Sequence, residues 1–81
     1  SKELSYLMAG TILLEALDKN ADFLIVHNKE DLVLFDGKQK SIEKTMGRDI
    51  QLPVLTQDEF IQLLQGAKKI SPHTIKISFL D

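Results

Sequence analysis

The sequence predicts a small single α/β domain over residues 1–81, in the order α-β-α-β-α-β, with a mainly parallel three-stranded sheet and flanking helices. Three observations predict it. Phe23-Leu24-Ile25-Val26 is an unbroken apolar run with two β-branched members, the pattern of a strand buried on both faces. Thr56-Gln57-Asp58-Glu59 has the form of a capping box and precedes the apolar residues Phe60, Ile61, Leu63 and Leu64 at helical spacing. Strands separated by helical segments imply parallel pairing through right-handed crossovers.

In chain order, residues 2–18 read as a helix. Leu4, Leu7, Met8, Thr11, Ile12 and Glu15 follow i, i+3, i+4 spacing, which predicts that this stripe packs on the core. Gly10 costs a helix about 1 kcal/mol against alanine, so its presence points to close approach of another backbone. Asn20 suits a left-handed cap after Asp18 and Lys19.

Residues 22–27 are then the central, most buried strand. Asn28 reads as the N-cap of a second helix, with Glu30 and Asp31 in its first turn, where the helix dipole favours acids. Leu32, Phe35, Ile42 and Met46 mark one face of that helix, and Gly47 ends it. A competing pattern exists: residues 32–38 also read as a strand entering an Asp36-Gly37 hairpin turn. The helix is preferred, because Lys38-Gln39-Lys40-Ser41 has no β character and the capping signals agree at both ends. Residues 50–55 form a second strand, made short or peripheral by Pro53, which lacks a donor. The third helix runs from the capping box to Gly66. Ile75, Ile77 and Phe79 alternate with Lys76 and Ser78, which predicts a third strand with one dry face.

Composition narrows the function classes. At this length one domain buries roughly 65% of its unfolded surface. Ten basic and twelve acidic residues, net charge −2, give no nucleic-acid surface. The chain has no cysteine, which removes disulfides, thiolate metal ligation and cysteine nucleophiles, and is compatible with a cytoplasmic location. It contains no apolar run near ~20 residues, so no membrane span is expected. Glu3 and Glu15 argue against a signal peptide. The start at Ser1 fits an excerpt of a longer chain.

The chemistry-bearing residues are sparse. No glycine-rich phosphate loop follows the first strand, and no nucleophile elbow is present. Ligands of α/β folds gather beyond the carboxyl ends of strands, which singles out His27, Asn28 and Glu30 as a candidate ligand site. His27 and Glu30 lie one helical turn apart, but two ligands do not make a metal site. Arg48 is expected to bond the last carbonyls of the second helix. His73 is expected to be a loop residue that tethers the last strand.

The strings Ala21-Asp22-Phe23-Leu24-Ile25-Val26, Leu34-Phe35-Asp36, Glu43-Lys44, Gly47-Arg48-Asp49-Ile50 and Leu52-Pro53-Val54-Leu55 resemble the cysteine-rich domain of the heterodisulfide reductase B family. The likeness runs from about Leu7 to His73. In that family a strand leads into Cys-Pro-x-Cys, which would fall on His27-Asn28-Lys29-Glu30 here. Both ligand positions are therefore non-cysteine. The resemblance implies a frame that has lost its cluster ligands: a non-catalytic module, without cofactor, docking to a protein partner in a redox complex. The alternative is a small ligand- or metal-binding protein using the His27-Asn28-Glu30 tip. A thioredoxin-like adaptor is a third reading and would need an antiparallel strand pair.

Overall fold

The computed structural model describes residues 1–70 and 73–75. Helix α1 spans Lys2–Asp18, strand β1 Leu24–Val26, helix α2 Lys29–Leu32, helix α3 Gln39–Met46, strand β2 Val54–Thr56 and helix α4 Gln57–Leu64. Between α2 and α3 the helix widens into a π turn over Val33–Gly37. The helical reading of residues 32–38 therefore holds over the hairpin, while the π turn carries no recognisable sequence signal.

The expected three-stranded α/β sheet is not what forms. The described residues are mostly helical, and the sheet among them is one parallel pair of three-residue strands in the register Leu24↔Val54, Ile25↔Leu55, Val26↔Thr56. Among the described residues the one strand pair is parallel, and the antiparallel pair that a thioredoxin-like arrangement needs is not found there. Of the predicted third strand, Ile75 lies in a bend, and residues 76–79 lie outside the described residues.

The rank of the strands is also reversed. Ile25 is 39% exposed, whereas Val54 and Leu55 in β2 are fully buried. A continuous apolar run is a two-sided burial signal only when both faces are covered, and β1 is covered on one. Pro53 does not weaken β2, because it precedes the paired residues and uses its carbonyl, which accepts from Leu24 N at 2.9 Å.

The core gathers Ala9 and Leu13 of α1, Phe35 of the π turn, Ile42 of α3, Val26 and Val54 of the strands, and Ile50 and Leu52 of the segment before β2. Here α1 departs most from expectation. The face turned inward carries Ala9, Gly10 and Leu13. The stripe Leu4, Leu7, Met8 and Ile12 faces outward. Gly10 explains the choice. A Cβ at that position would overlap Met46 Cγ, lie 2.6 Å from Met46 Sδ and 3.2 Å from Ile42 Cγ2. The close approach that Gly10 permits is to side chains of α3, and α1 must present its small residues to achieve it.

The ends of α1 and α4 close in the same way. Asn20, at φ 63°, and Gly66, at φ 94°, occupy left-handed positions. Ala21 N donates to Ala16 O and Ala67 N to Gln62 O, both at 3.0 Å, which is the six-residue closure of a Schellman motif.

Gly10 and Gly37 should respond in opposite directions to alanine. Gly10→Ala displaces Met46 and should cost about 1–2 kcal/mol. Gly37 has only Val33 Cγ1 within 4 Å of a new Cβ, at 3.9 Å, so Gly37→Ala should gain about 0.5–1 kcal/mol by restricting the unfolded chain. Denaturant midpoints at constant slope measure both; equal shifts for the two variants would contradict the close packing of α1 on α3.

Candidate functional site

At the strand tip, Val26 ends β1 and the chain turns at once into α2. Asn28 adopts extended angles (φ −147°, ψ 173°), and its Oδ1 accepts from Asp31 N at 2.8 Å, so it caps the helix as its sequence position implies. His27, Asn28 and Glu30 are all exposed. Among the described residues, the side chains of His27 and Glu30 meet no hydrogen-bond partner, and no three His, Asp or Glu side chains are grouped to hold a metal. The tip brings its three candidates close in sequence but does not converge them on a common point.

The polar groups that do converge are elsewhere. Asp36, Gln39 and Glu43 form a row along one face of the helical run, each next to the apolar stripe that holds Phe35 and Ile42. Asp36 is buried, and its Oδ2 and Oδ1 accept from Thr74 N at 2.8 Å and Ile75 N at 2.9 Å. Gln39 is wholly buried; its Nε2 donates to Phe35 O at 3.0 Å and Leu52 O at 2.9 Å, and its Oε1 accepts from Leu52 N at 2.9 Å. Glu43 Oε2 accepts from Ile50 N at 2.6 Å and Gln51 N at 3.2 Å. Gln51 is held at φ 48°, a left-handed angle that a glutamine adopts rarely. The row thus uses side chains to satisfy backbone groups of two passing segments, as a neighbouring strand would.

A second knot lies at the start of α4. Thr56 Oγ1 accepts from Glu59 N at 3.2 Å, and Glu59 Oε1 accepts from Thr56 N at 2.9 Å, which completes the capping box. The same Oε1 lies 3.1 Å from Nε2 of His73, whose side chain is almost fully enclosed. The contact joins residue 73 to the start of α4; the last strand that His73 was expected to tether lies, beyond Ile75, outside the described residues. The pairing of His73 with Glu59 spans fourteen residues and has no local signal. Nearby, a shallow cleft of about 420 Å³ is bordered by Asp22, Lys40, Gln51 and Thr74. Its deeper carboxylate, Glu43, is already committed to backbone amides.

Arg48 does not cap its own helix. Its guanidinium spans to Asp18 at the end of α1, with Nη2 2.9 Å from Oδ1 and Nη1 3.3 Å from Oδ2. The hydrogen bond from Arg48, helped by its charge, holds the Asp18 carboxyl below its ordinary range, and the same bond raises Arg48.

The remaining surface of note is the outward face of α1. Leu4, Leu7, Met8 and Ile12 are between 46% and 61% exposed. The segment Leu4–Leu14 carries no charge. No helix among the described residues is long and apolar enough to cross a membrane. Comparison with known proteins returns no match: no family model, no curated protein and no solved structure matches the chain.

Two outcomes test these polar contacts. Gln39→Leu keeps the volume but removes the side-chain acceptor of Leu52 N–H and the donor to the carbonyls of Phe35 and Leu52 in the core, and should cost about 3 kcal/mol in denaturant unfolding; a neutral result would mean the pairing contributes nothing. Asp18→Asn should lower stability at neutral pH. A carboxyl lowered in the folded state contributes above its unfolded value of 3.8, and that contribution is lost as pH falls through the lowered folded value. The difference between the wild type and Asp18→Asn should therefore shrink to nothing across the acid limb, and a difference independent of pH would refute the Arg48 pairing.

Proposed function

We propose that this chain is a non-catalytic docking module of a cytoplasmic redox complex, a cysteine-free counterpart of the cysteine-rich domain of the heterodisulfide reductase B family, and that it binds its protein partner through the outward face of α1. The observation that carries the reading is that face: four large apolar side chains, half exposed, on a helix whose middle turns bear no charge. A contiguous apolar patch of this kind on a small domain is the usual mark of an interaction surface. The second support comes from the strand tip. Where the resembled family would carry cluster ligands, this chain has His27 and Glu30 exposed and Asn28 spent on a helix cap. The alternative of a ligand or metal site at that tip draws no comparable support, because its side chains do not converge.

Capture from extract of the source cells, with the tagged chain as bait, tests the reading. The wild type should retain a redox protein, recognised by its flavin or iron–sulfur absorption. Met8→Asp should lose it with an unchanged melting temperature, since Met8 is exposed in the free chain. His27→Ala with Glu30→Ala should retain it and cost under ~1 kcal/mol of stability. Retention by Met8→Asp, or loss in the His27 and Glu30 double variant, would refute the α1 assignment. A metal-dependent rise in melting temperature that the double variant abolishes would move the function to the strand tip.

A further inference from the structure

We propose that Met8 is a site of oxidative modification: peroxide converts its thioether to the sulfoxide while Met46 stays reduced, and the added oxygen weakens docking on the outer face of α1. The regulatory half of this inference rests on the reading of that face as a docking surface. The selective oxidation rests on the geometry of the two sulfurs alone.

The chain offers peroxide few targets. It has no cysteine, and Met8 and Met46 carry its only sulfur atoms. A thioether is oxidised where the oxidant can reach it, because the sulfur itself must meet the peroxide oxygen. The fold places the two sulfurs in opposite settings. Met8 is 61% exposed, the most open of the four apolar residues on the outer face. Met46 is half-buried and packs against the core. Its Sδ sits over Gly10, 2.6 Å from where a Cβ of that residue would lie. An oxygen added to Met46 has to push into the contact of α1 with α3, whereas an oxygen added to Met8 meets open surface.

The oxidant is hydrogen peroxide from solution. The sulfur lone pair attacks one peroxide oxygen, the S–O bond forms and the O–O bond breaks. Hydroxide leaves and takes the proton from the S–OH cation, giving the sulfoxide and one water. The sulfur loses two electrons and the peroxide gains them.

Position gives the modification its effect. Leu4 and Ile12 lie one turn before and one turn after Met8, and Leu7 lies beside it, so the sulfur is at the middle of the apolar face. Sulfoxide formation turns a flexible apolar group into a polar, chiral one. In the free chain that group is already in water, and the change costs the fold little. In an interface that removes it from water, the new S–O group loses its hydration, and association is weakened. The same oxidation at Met46 would act in the opposite way, loosening α1 from α3 and leaving the outer face apolar.

Peptide mass mapping after brief treatment of the folded chain with dilute hydrogen peroxide tests the selectivity. Met8 should gain one oxygen on the order of tenfold faster than Met46, with the melting temperature unchanged. In denaturant the two rates should converge. Under the dose that converts the wild type, Met8→Leu should gain no oxygen. Equal rates in the folded chain, or oxidation of Met46 first, overturn the proposal. Retention on a hydrophobic-interaction column reads the change in the face: oxidised wild type should elute earlier than reduced, and peroxide-treated Met8→Leu should not shift. An unshifted oxidised wild type also overturns the proposal. For the regulatory half, the tagged chain is oxidised, freed of peroxide and used as bait. Oxidised wild type should lose the redox protein that the reduced chain captures, and peroxide-treated Met8→Leu should keep it. Capture by the oxidised wild type overturns the regulation. A reduced chain that captures no redox protein refutes the docking reading, and the regulation with it, while the mass mapping still decides the selective oxidation of Met8.

Discussion

The structure depends on the carboxamide of Gln39. It meets the backbone of Leu52 from both sides, donating to the carbonyl and accepting from the amide, as a residue of a neighbouring strand would. The strands of this chain are three residues long and pair only with each other among the described residues, so the sheet alone cannot satisfy the approach to β2. The fully buried glutamine does so instead, and it brings Ile50 and Leu52 into the core on either side of Gln51. A buried amide is tolerated only when all its partners are present. Here they are: among the described residues no buried side-chain polar atom is left without one.

That dependence explains why a two-stranded sheet suffices. Asp36 and Glu43, either side of Gln39 on the same helical face, extend the same service to residues 74–75 and 50–51. Their carboxylates are thereby withdrawn from chemistry. A carboxylate that already accepts two backbone amides is a structural group, and Asp36 and Glu43 are both of that kind. On the surface of the described residues, the apolar outer face of α1 has a distinct character.

The local signals are legible in the residues and the long-range ones are not. The capping box at Thr56 and Glu59, the Asn28 cap and the left-handed Asn20 each depend on neighbours within a few residues, and each forms as its sequence position implies. The orientation of α1 escapes the sequence pattern for a definite reason. Apolar residues lie nearly all round that helix, so periodicity alone selects no inner face. The deciding feature is Gly10 beside Ala9, small residues that let α3 come close, and it outweighs the larger side chains at Leu4 and Met8. The run at β1 overstates its burial because an apolar run reports composition, not coverage. The contacts of His73 with Glu59 and of Asp36 with the backbone at 74 and 75 join residues far apart in sequence. The one clue to the polar row is its position, one residue beyond Phe35 and Ile42 at the margin of the apolar stripe.

The π turn over Val33–Gly37 has a consequence for how the chain can change. A π turn is in effect one residue more than a regular helix needs, and each residue turns a helix by about 100°. The extra residue sets the angular phase between the helix start at Asn28 and the row formed by Asp36, Gln39 and Glu43. Regularising the helix by removing it would swing that row away from the two segments it holds. The irregular turn is therefore a phase adjuster, and at its exposed positions, Val33 and Gly37, amino-acid identity is freer than length.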